Sequence, residues 1–307
     1  MGTFLVTGAA GFIGSSLAKK LVDQNNTVVT VDNLTTGIKQ NIPDKVIFYE
    51  GNCQDIKIID KLEKYSFDAI FHIAGQSSGE ISFDDPVYDL QTNTQSTLLL
   101  LELAKKIGCK KFIYASTMSV YGDQANKPVE LDERTLPKSF YGVGKLASEN
   151  YLRIYQKFGI DCISLRLFNV YGPGQNLNNL RQGMVSIFLA QALTKNKIIV
   201  KGSKNRYRDF VYIDDVVNAF IVAYNTKNKD FLIVNIANEI KTTVESLIEL
   251  IKKNINKNIT VEYSGSTPGD QFGIVGKLNL DTRFFNWKPI VDLETGIKKM
   301  VNWAQEK

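Results

Sequence analysis

The sequence of 307 residues contains one histidine, His72. That scarcity excludes zinc motifs built on two imidazoles and leaves no second imidazole for a relay, so acid–base chemistry falls to Tyr, Lys, Asp, Glu or Ser/Thr. Cysteine is nearly as rare. Cys53, Cys109 and Cys162 stand far apart with no Cys-x-x-Cys, as expected of small buried side chains in a reducing compartment rather than a disulfide framework or metal site. No run approaches the roughly 20 apolar residues that a membrane span needs. The apolar stretch at residues 1–6 breaks at Thr7-Gly8 without a basic leader, so no secretory signal is expected and a cytoplasmic protein is. Blocks of like charge are missing too: 37 Lys and Arg against 32 Asp and Glu give a net charge of +5 spread along the chain. This argues against a nucleic-acid binder while leaving room for a local phosphate pocket. With 44% apolar and 22% charged residues, the chain has the composition of an ordinary globular protein, long enough for one large α/β unit or two modest domains.

Apolar β-rich runs at residues 3–7, 27–32, 46–50, 69–72, 111–116 and 162–167 alternate with helical periods at 12–24, 55–64, 86–107 and 140–158. This is the pattern of βαβ units with long right-handed crossovers, and it predicts an α/β fold with a doubly wound parallel sheet. After Asn169 the pattern loosens, and residues 171–179, rich in Gly, Pro and Asn, read as an exposed functional loop or a domain crossing. Further helices are expected at 183–194, 243–254, 281–285 and 293–305, strands at 198–201, 231–236 and 260–263, and a strand followed by a helix at 209–224. The expected division is a sheet domain over 1–170, with 209–240 returning to it, and a smaller C-terminal α/β lobe from 171–208 and 241–307.

Thr7-Gly8-Ala9-Ala10-Gly11-Phe12-Ile13-Gly14 joins the first strand to the first helix with glycines three residues apart. Such glycines permit a tight turn, close approach of backbone amides to a pyrophosphate, and helix–sheet packing. Alone the segment is equally a structural turn. The next strand, however, ends at Asp32, 18 residues beyond Gly14, where a carboxylate can accept from two adenosine ribose hydroxyls and would repel a 2′-phosphate. NAD is therefore favoured over NADP.

Tyr141 and Lys145 have the i, i+4 spacing that places phenol and ammonium on one helical face. A phenol near 10 must drop by roughly three units to act as a base near neutrality, about 4 kcal/mol of electrostatic work, which a fixed Lys and a nicotinamide cation can supply. By itself the pair is also compatible with a solvated helix face. Ser116-Thr117-Met118-Ser119 lies at the carboxyl end of an expected central strand, where open α/β sheets bind ligands, although such hydroxyls also satisfy turns.

In this order, Thr7–Gly14, His72-Ile-Ala-Gly-Gln-Ser-Ser78, Asp85-Pro86, Ser116-Thr-Met-Ser-Val-Tyr-Gly122, Tyr141-Gly-Val-Gly-Lys145, Arg166-Leu-Phe-Asn-Val-Tyr-Gly-Pro-Gly174 and Arg208-Asp-Phe-Val-Tyr-Ile-Asp-Asp215 run over essentially the whole chain. Together they resemble the extended short-chain dehydrogenase/reductase family, and within it the nucleotide-sugar epimerases and dehydratases of the UDP-glucose 4-epimerase type. The resemblance implies a Rossmann sheet with a sugar-nucleotide lobe. It implies Tyr141 as the base at the sugar C4 hydroxyl, Lys145 as the group that lowers its pKa and holds the nicotinamide ribose, and Thr117 as a hydroxyl partner of the same oxygen. Around NAD it places Gly8, Gly11, Phe12, Ile13, Gly14, Asp32, Asn33, Asn52, Cys53, Ala74, Gly75, Gln76, Asn93 and Phe168. Ser78, Asn169 and Arg208 would contact the nucleotide-sugar substrate and Asp270 its ribose, with His72 a structural residue below the cleft. Helices 86–107 and 140–158 match those that form a four-helix homodimer interface in the family.

The family's dehydratases carry Asp-Glu after the catalytic Thr, and its UDP-glucuronate decarboxylases Ser-Glu; here those positions are Met118-Ser119. With no strong acid or base there, the resemblance implies 4-epimerisation through a transient 4-keto sugar, with NAD regenerated. Dehydration, decarboxylation, net reduction and a non-catalytic cofactor-binding protein are the alternatives. Thr267 stands where many UDP-sugar members have an Arg, and a hydroxyl makes no bidentate pair with a diphosphate.

Overall fold

The computed structural model describes residues 1–124, 127–227, 230–255, 257–266, 271–278 and 285–306. Its first half alternates strand and helix: β1 (Thr3–Thr7), α1 (Phe12–Asp23), β2 (Thr27–Asp32), β3 (Ile47–Glu50), α2 (Ile56–Leu62), β4 (Ala69–His72), α3 (Pro86–Leu90), α4 (Ser96–Ile107), β5 (Lys111–Thr117), α5 (Phe140–Tyr155) and β6 (Asp161–Leu167). Then follow β7 (Asn169–Tyr171), α6 (Met184–Lys195), β8 (Lys197–Lys201), β9 (Tyr207–Arg208), β10 (Phe210–Tyr212), α7 (Ile213–Asn225), β11 (Leu232–Ile236), β12 (Thr242–Thr243), α8 (Val244–Ile255), β13 (Thr260–Ser264) and α9 (Leu293–Gln305).

Seven strands form one parallel sheet in the order β11-β6-β5-β4-β1-β2-β3. This is the doubly wound sheet the alternation predicts, and the run near 231–236 joins it as β11, parallel to β6. Strand order changes direction at β1 and β4, so the crevice at their carboxyl ends is where a ligand fits. Because side chains alternate across a strand, each strand feeds two cores. Leu5, Ile70, Phe112, Tyr114 and Cys162 point towards Leu62, Leu101 and Leu152 of α2, α4 and α5. Phe4, Val6, Phe71, Ile113 and Leu165 point towards Leu17, Val216 and Phe220 of α1 and α7.

The remaining helices α6, α8 and α9 accompany the parallel pair β8–β13 and the antiparallel pair β9–β12, and their buried side chains join the core that also holds Phe4, Val6 and Ile113. A short parallel pair, β7–β10, lies beside the main sheet. One expected helix is interrupted: 86–107 is α3, then a π-helical turn over Gln91–Gln95, then α4. Asp85 explains its start, since its carboxylate accepts from the Tyr88 N–H at 2.9 Å and Pro86 occupies the first helical turn. The expected helix at 281–285 falls on 281–284, outside the described residues.

Candidate active site

The glycine loop forces the backbone at the crevice into a close cradle. Gly8 has φ +74°, and a Cβ on Gly14 would stand 2.0 Å from the Gly8 carbonyl oxygen. The Gly11 N–H donates to Gly8 O at 3.1 Å, and the free amides of the first α1 turn face the crevice as an anion site. At the end of β2, Asp32 accepts from the Ala10 N–H at 2.9 Å through Oδ2 and from the Leu34 N–H at 2.8 Å through Oδ1. Each oxygen retains a lone pair for a ribose hydroxyl. Gly8, Gly11, Phe12, Ile13, Gly14, Asp32, Asn33, Asn52, Cys53, Ala74, Gly75 and Gln76 line one cleft of about 370 Å³. A backbone cradle that only glycine permits, an anion-binding helix start and a ribose-facing carboxylate fit NAD.

Four expected cofactor residues, Asn93, Phe168, Tyr141 and Lys145, lie outside that wall. Asn93, fully buried in the π-helical turn, donates to Gln76 O at 2.9 Å, while its Oδ1 accepts no hydrogen bond and faces Gly75, where a Cβ would lie 2.3 Å away. Phe168 packs its ring against Gly276. Asn52 Oδ1 accepts from Asn33 Nδ2 at 2.8 Å, so one of its two lone pairs is used within the protein.

Ser139 caps α5 by accepting from the Gly142 N–H at 3.1 Å, and the helix turns Tyr141 and Lys145 inward towards the end of β5. Lys145 Nζ donates to Ala115 O at 2.9 Å and lies 4.7 Å from the Tyr114 ring centroid and 5.9 Å from that of Tyr141. Burial pulls Lys145 down to about 8, against the charges of Asp89 and Glu149. Burial also pushes Tyr141 up to about 12, opposed by a hydrogen bond with Thr117 and reinforced by the Asp89 charge. The expected lowering of the phenol by Lys145 is therefore not achieved by the chain alone, which holds Tyr141 neutral.

Thr117 closes β5, accepts from the Ser119 N–H at 3.1 Å and donates to Ser119 Oγ at 3.2 Å. Met118 Sδ lies 3.4 Å from Asn169 Nδ2. Asn169 also donates to Asp209 O at 3.1 Å. Arg208 is buried, its Nη1 donating to Tyr207 O at 2.7 Å and Phe272 O at 3.3 Å and its Nη2 to Gln271 O at 2.7 Å. Burial pulls its guanidinium down to about 10, and the neighbouring Arg206 charge adds to the effect. Ser78 uses its hydroxyl internally, donating to Arg181 O and accepting from the Ile81 N–H, each at 3.3 Å. Asp270 and Thr267 lie outside the described residues.

His72 is fully buried, and its neighbours fix its tautomer. Thr7 Oγ1 accepts from the Ile73 and Ala74 N–H groups, each at 3.0 Å, so its proton goes to His72 Nδ1 at 2.8 Å. Ser96 and Thr97 give their protons to Thr92 O and Asn93 O, each at 2.6 Å. Both hydroxyls are then acceptors for His72 Nε2–H, at 3.3 and 3.1 Å. The imidazole is neutral, held well below its usual range by burial and by the Lys145 charge, and it acts as a strut between β1, β4 and α4.

Residues that motif reading passed over also meet here. Gln175, Asn179 and Gln182 line the cleft from the 171–183 loop, which Arg181 pins to Asp84 at 2.7 Å. Asp89 shares the buried face of Asn93, and its place four residues earlier inside an apolar helical pattern was the available signal. Glu149, four residues beyond Lys145, pairs with buried Arg166.

The model of the NAD-dependent epimerase/dehydratase family matches residues 4–237. A Methanocaldococcus jannaschii protein bearing the provisional name UDP-glucose 4-epimerase is 36% identical over 98% of each chain. The crystal structure of Thermotoga maritima UDP-glucose 4-epimerase with UDP-glucose has 33% identity, covers 99% of both chains and superposes with a TM-score of 0.95. A UDP-glucuronic acid decarboxylase of Xenopus tropicalis is 29% identical over 99% of this chain and 72% of its own length. With a matching model over most of its length and a relative 36% identical over nearly the whole chain, the chain belongs to the NAD-dependent epimerase/dehydratase family.

Proposed function

We propose that the protein interconverts the C4 epimers of a nucleotide-diphosphate sugar, UDP-linked, as an NAD-dependent isomerase. One observation carries the choice of reaction: the Thr117, Tyr141 and Lys145 groups converge while Met118 and Ser119 next to them bear no carboxyl. NAD, which the glycine loop and Asp32 would hold, would supply hydride acceptance and return at the sugar C4 and, as a nicotinamide cation, the positive charge that favours ionised Tyr141. Tyr141 takes the C4 hydroxyl proton and later returns it, Thr117 holds the same oxygen, and Lys145 holds the nicotinamide ribose. Elimination of water requires an acid and a base beside the sugar, and positions 118–119 provide neither, so these residues favour return of a 4-keto sugar to the C4 alcohol over its dehydration.

Buried Arg208, with Arg206 close by, supplies positive charge for the diphosphate, and Asn169 lies between that site and Met118. The sugar-nucleotide lobe is then formed by 171–208 and 241–307, closing over a cofactor domain of 1–170 with 209–240. Three free, buried thiols suit a cytoplasmic, reducing setting. We also assign a homodimer, since Val87 and Leu90 on α3 and Phe140, Val143 and Ile154 on α5 present apolar side chains to solvent.

The test is incubation with NAD and a panel of UDP-sugars, following anomeric protons by NMR and product mass. A C4 epimer of unchanged mass is expected; loss of water or of CO2 would replace this reading by dehydration or decarboxylation. Tyr141→Phe should retain NAD and lose about 10²–10⁴-fold in turnover, the usual share of a positioned acid–base group.

A further inference from the structure

Asp89 on α3 is a buried carboxylate, 1% exposed, that the proposed reaction leaves without a task. Its Oδ2 accepts from Gln76 Nε2 at 2.8 Å. Its Oδ1 is buried and accepts no hydrogen bond. That naked oxygen faces α5 at Gly144, where a Cβ would stand 3.5 Å away. Gly144 immediately precedes Lys145, whose Nζ turns back to within 3.5 Å of the Cβ position of Gly75, the residue before Gln76. The carboxylate and the ammonium therefore flank one turn, Gly75-Gln76.

Charge balance in this layer assigns the partners. Its other carboxylate, Glu149, receives Arg166 Nη2 at 2.7 Å and Nε at 3.0 Å, and its Oε1 also accepts from the Ser116 and Ser164 hydroxyls at 2.6 and 3.1 Å. Its charge is met by Arg166. The remaining groups facing Lys145 are uncharged: neutral His72 on β4, the Tyr114 ring and Ala115 O on β5, the Tyr141 phenol on α5, and the Gln76 and Asn93 amides. Asp89 is the first of the two carboxylates that favour the charged form of Lys145. Burial raises Asp89 itself, opposed by the Gln76 and Asn93 amides and by Lys145, so each charge supports the other. A buried ion of either sign left alone would neutralise instead.

We propose that Asp89 is a positioning residue, the counter-charge that keeps the Lys145 ammonium protonated and in place beside Tyr141. The proposal rests on the Tyr141–Lys145 reading of the site, but it concerns the lysine itself. Its test therefore reads Lys145 directly, in the full chain with and without NAD. Lysine labelled with ¹³C at Cε gives a titration curve for each ammonium, and Lys145→Met identifies the resonance of Lys145. In Asp89→Asn, whose amide oxygen can still accept from Gln76, the Lys145 midpoint should fall by about one unit or more from its wild-type value, the effect of removing an opposite charge from the same buried turn. Asp89→Glu should restore it. The alkaline limb of the pH–rate profile should move to lower pH with the resonance, whereas a merely structural defect lowers rates without moving either. An unchanged midpoint in folded Asp89→Asn, or in Asp89→Ser should the amide variant not fold, would overturn the proposal. Absence of epimerase turnover with the expected midpoint shift would instead remove the functional reading and leave the charge coupling of Asp89 to Lys145 standing.

Discussion

Tyr141 and Lys145 stand one helical turn apart on α5, yet burial drives them in opposite directions, to about 12 and about 8. Their i, i+4 spacing is visible in the sequence; their charge states are not, because those depend on desolvation and on Asp89, which arrives from another helix. His72 shows the same division. A lone imidazole in a strand reads as structural, but its neutral form follows only from hydroxyls on β1 and α4 whose protons are already committed. That state has a consequence for stability. The unfolded imidazole titrates near 6.5 and the folded one is held well below it, so below about 6.5 the unfolded chain binds the extra proton. The contribution is fully present above that pH and is lost as pH falls, with a slope approaching about 1.4 kcal/mol per pH unit. Denaturant unfolding between pH 7 and 5 should show this component, and His72→Gln, which has no imidazole to titrate, should lack it. An identical slope in the variant would assign the loss to other groups.

At the scale of elements, the βαβ alternation was fully legible, because strands buried on both faces are nearly continuous apolar runs and helices keep their own period. The interruption at Gln91–Gln95 was not. A π-helical turn has no composition of its own, and here it is held by Ser96, Thr97 and Ser148, whose hydroxyls bond the Thr92 and Asn93 carbonyls. It brings Asn93 beside Gly75, as irregular turns do at functional sites. Strand β10 was expected ahead of α7, but its short pairing with β7, and the pair β9–β12, were hidden, since two or three residues carry no period. The glycine loop was legible for a steric reason. A methyl on Gly14 meets backbone, at 2.0 Å from Gly8 O, and no side-chain rotation can relieve that contact. Gly14→Ala should destabilise the fold by about 1–3 kcal/mol, as overpacking does, and weaken NAD binding at least about tenfold by displacing the amides of the loop. Calorimetric titration with NAD and thermal unfolding check both; wild-type affinity would mean that the loop does not hold the pyrophosphate.

For the whole molecule, the apolar side chains on the outer faces of α3 and α5 are the largest claim on a partner. Sedimentation at micromolar concentration should give a dimer, and Val143→Glu, placing a charge on a residue that is 53% exposed in one chain, should give a folded monomer. A monomeric wild-type protein would remove the assignment. The two faces of the sheet also differ in when they can be completed during synthesis. Every fully buried member of the core beneath α2, α4 and α5 lies between Leu5 and Cys162. The opposite core waits for Ile297, Met300 and Val301 of α9, and Gly296 lies so close to the Tyr171 hydroxyl that a Cβ would approach to 2.0 Å. One wall of the crevice can thus be assembled before the residues beyond Cys162 are made, and the other is sealed only when α9 leaves the ribosome. A transcript cut short before α9 yields a chain in which α5 has its core but the opposite core lacks the α9 side chains, a natural target for proteolysis.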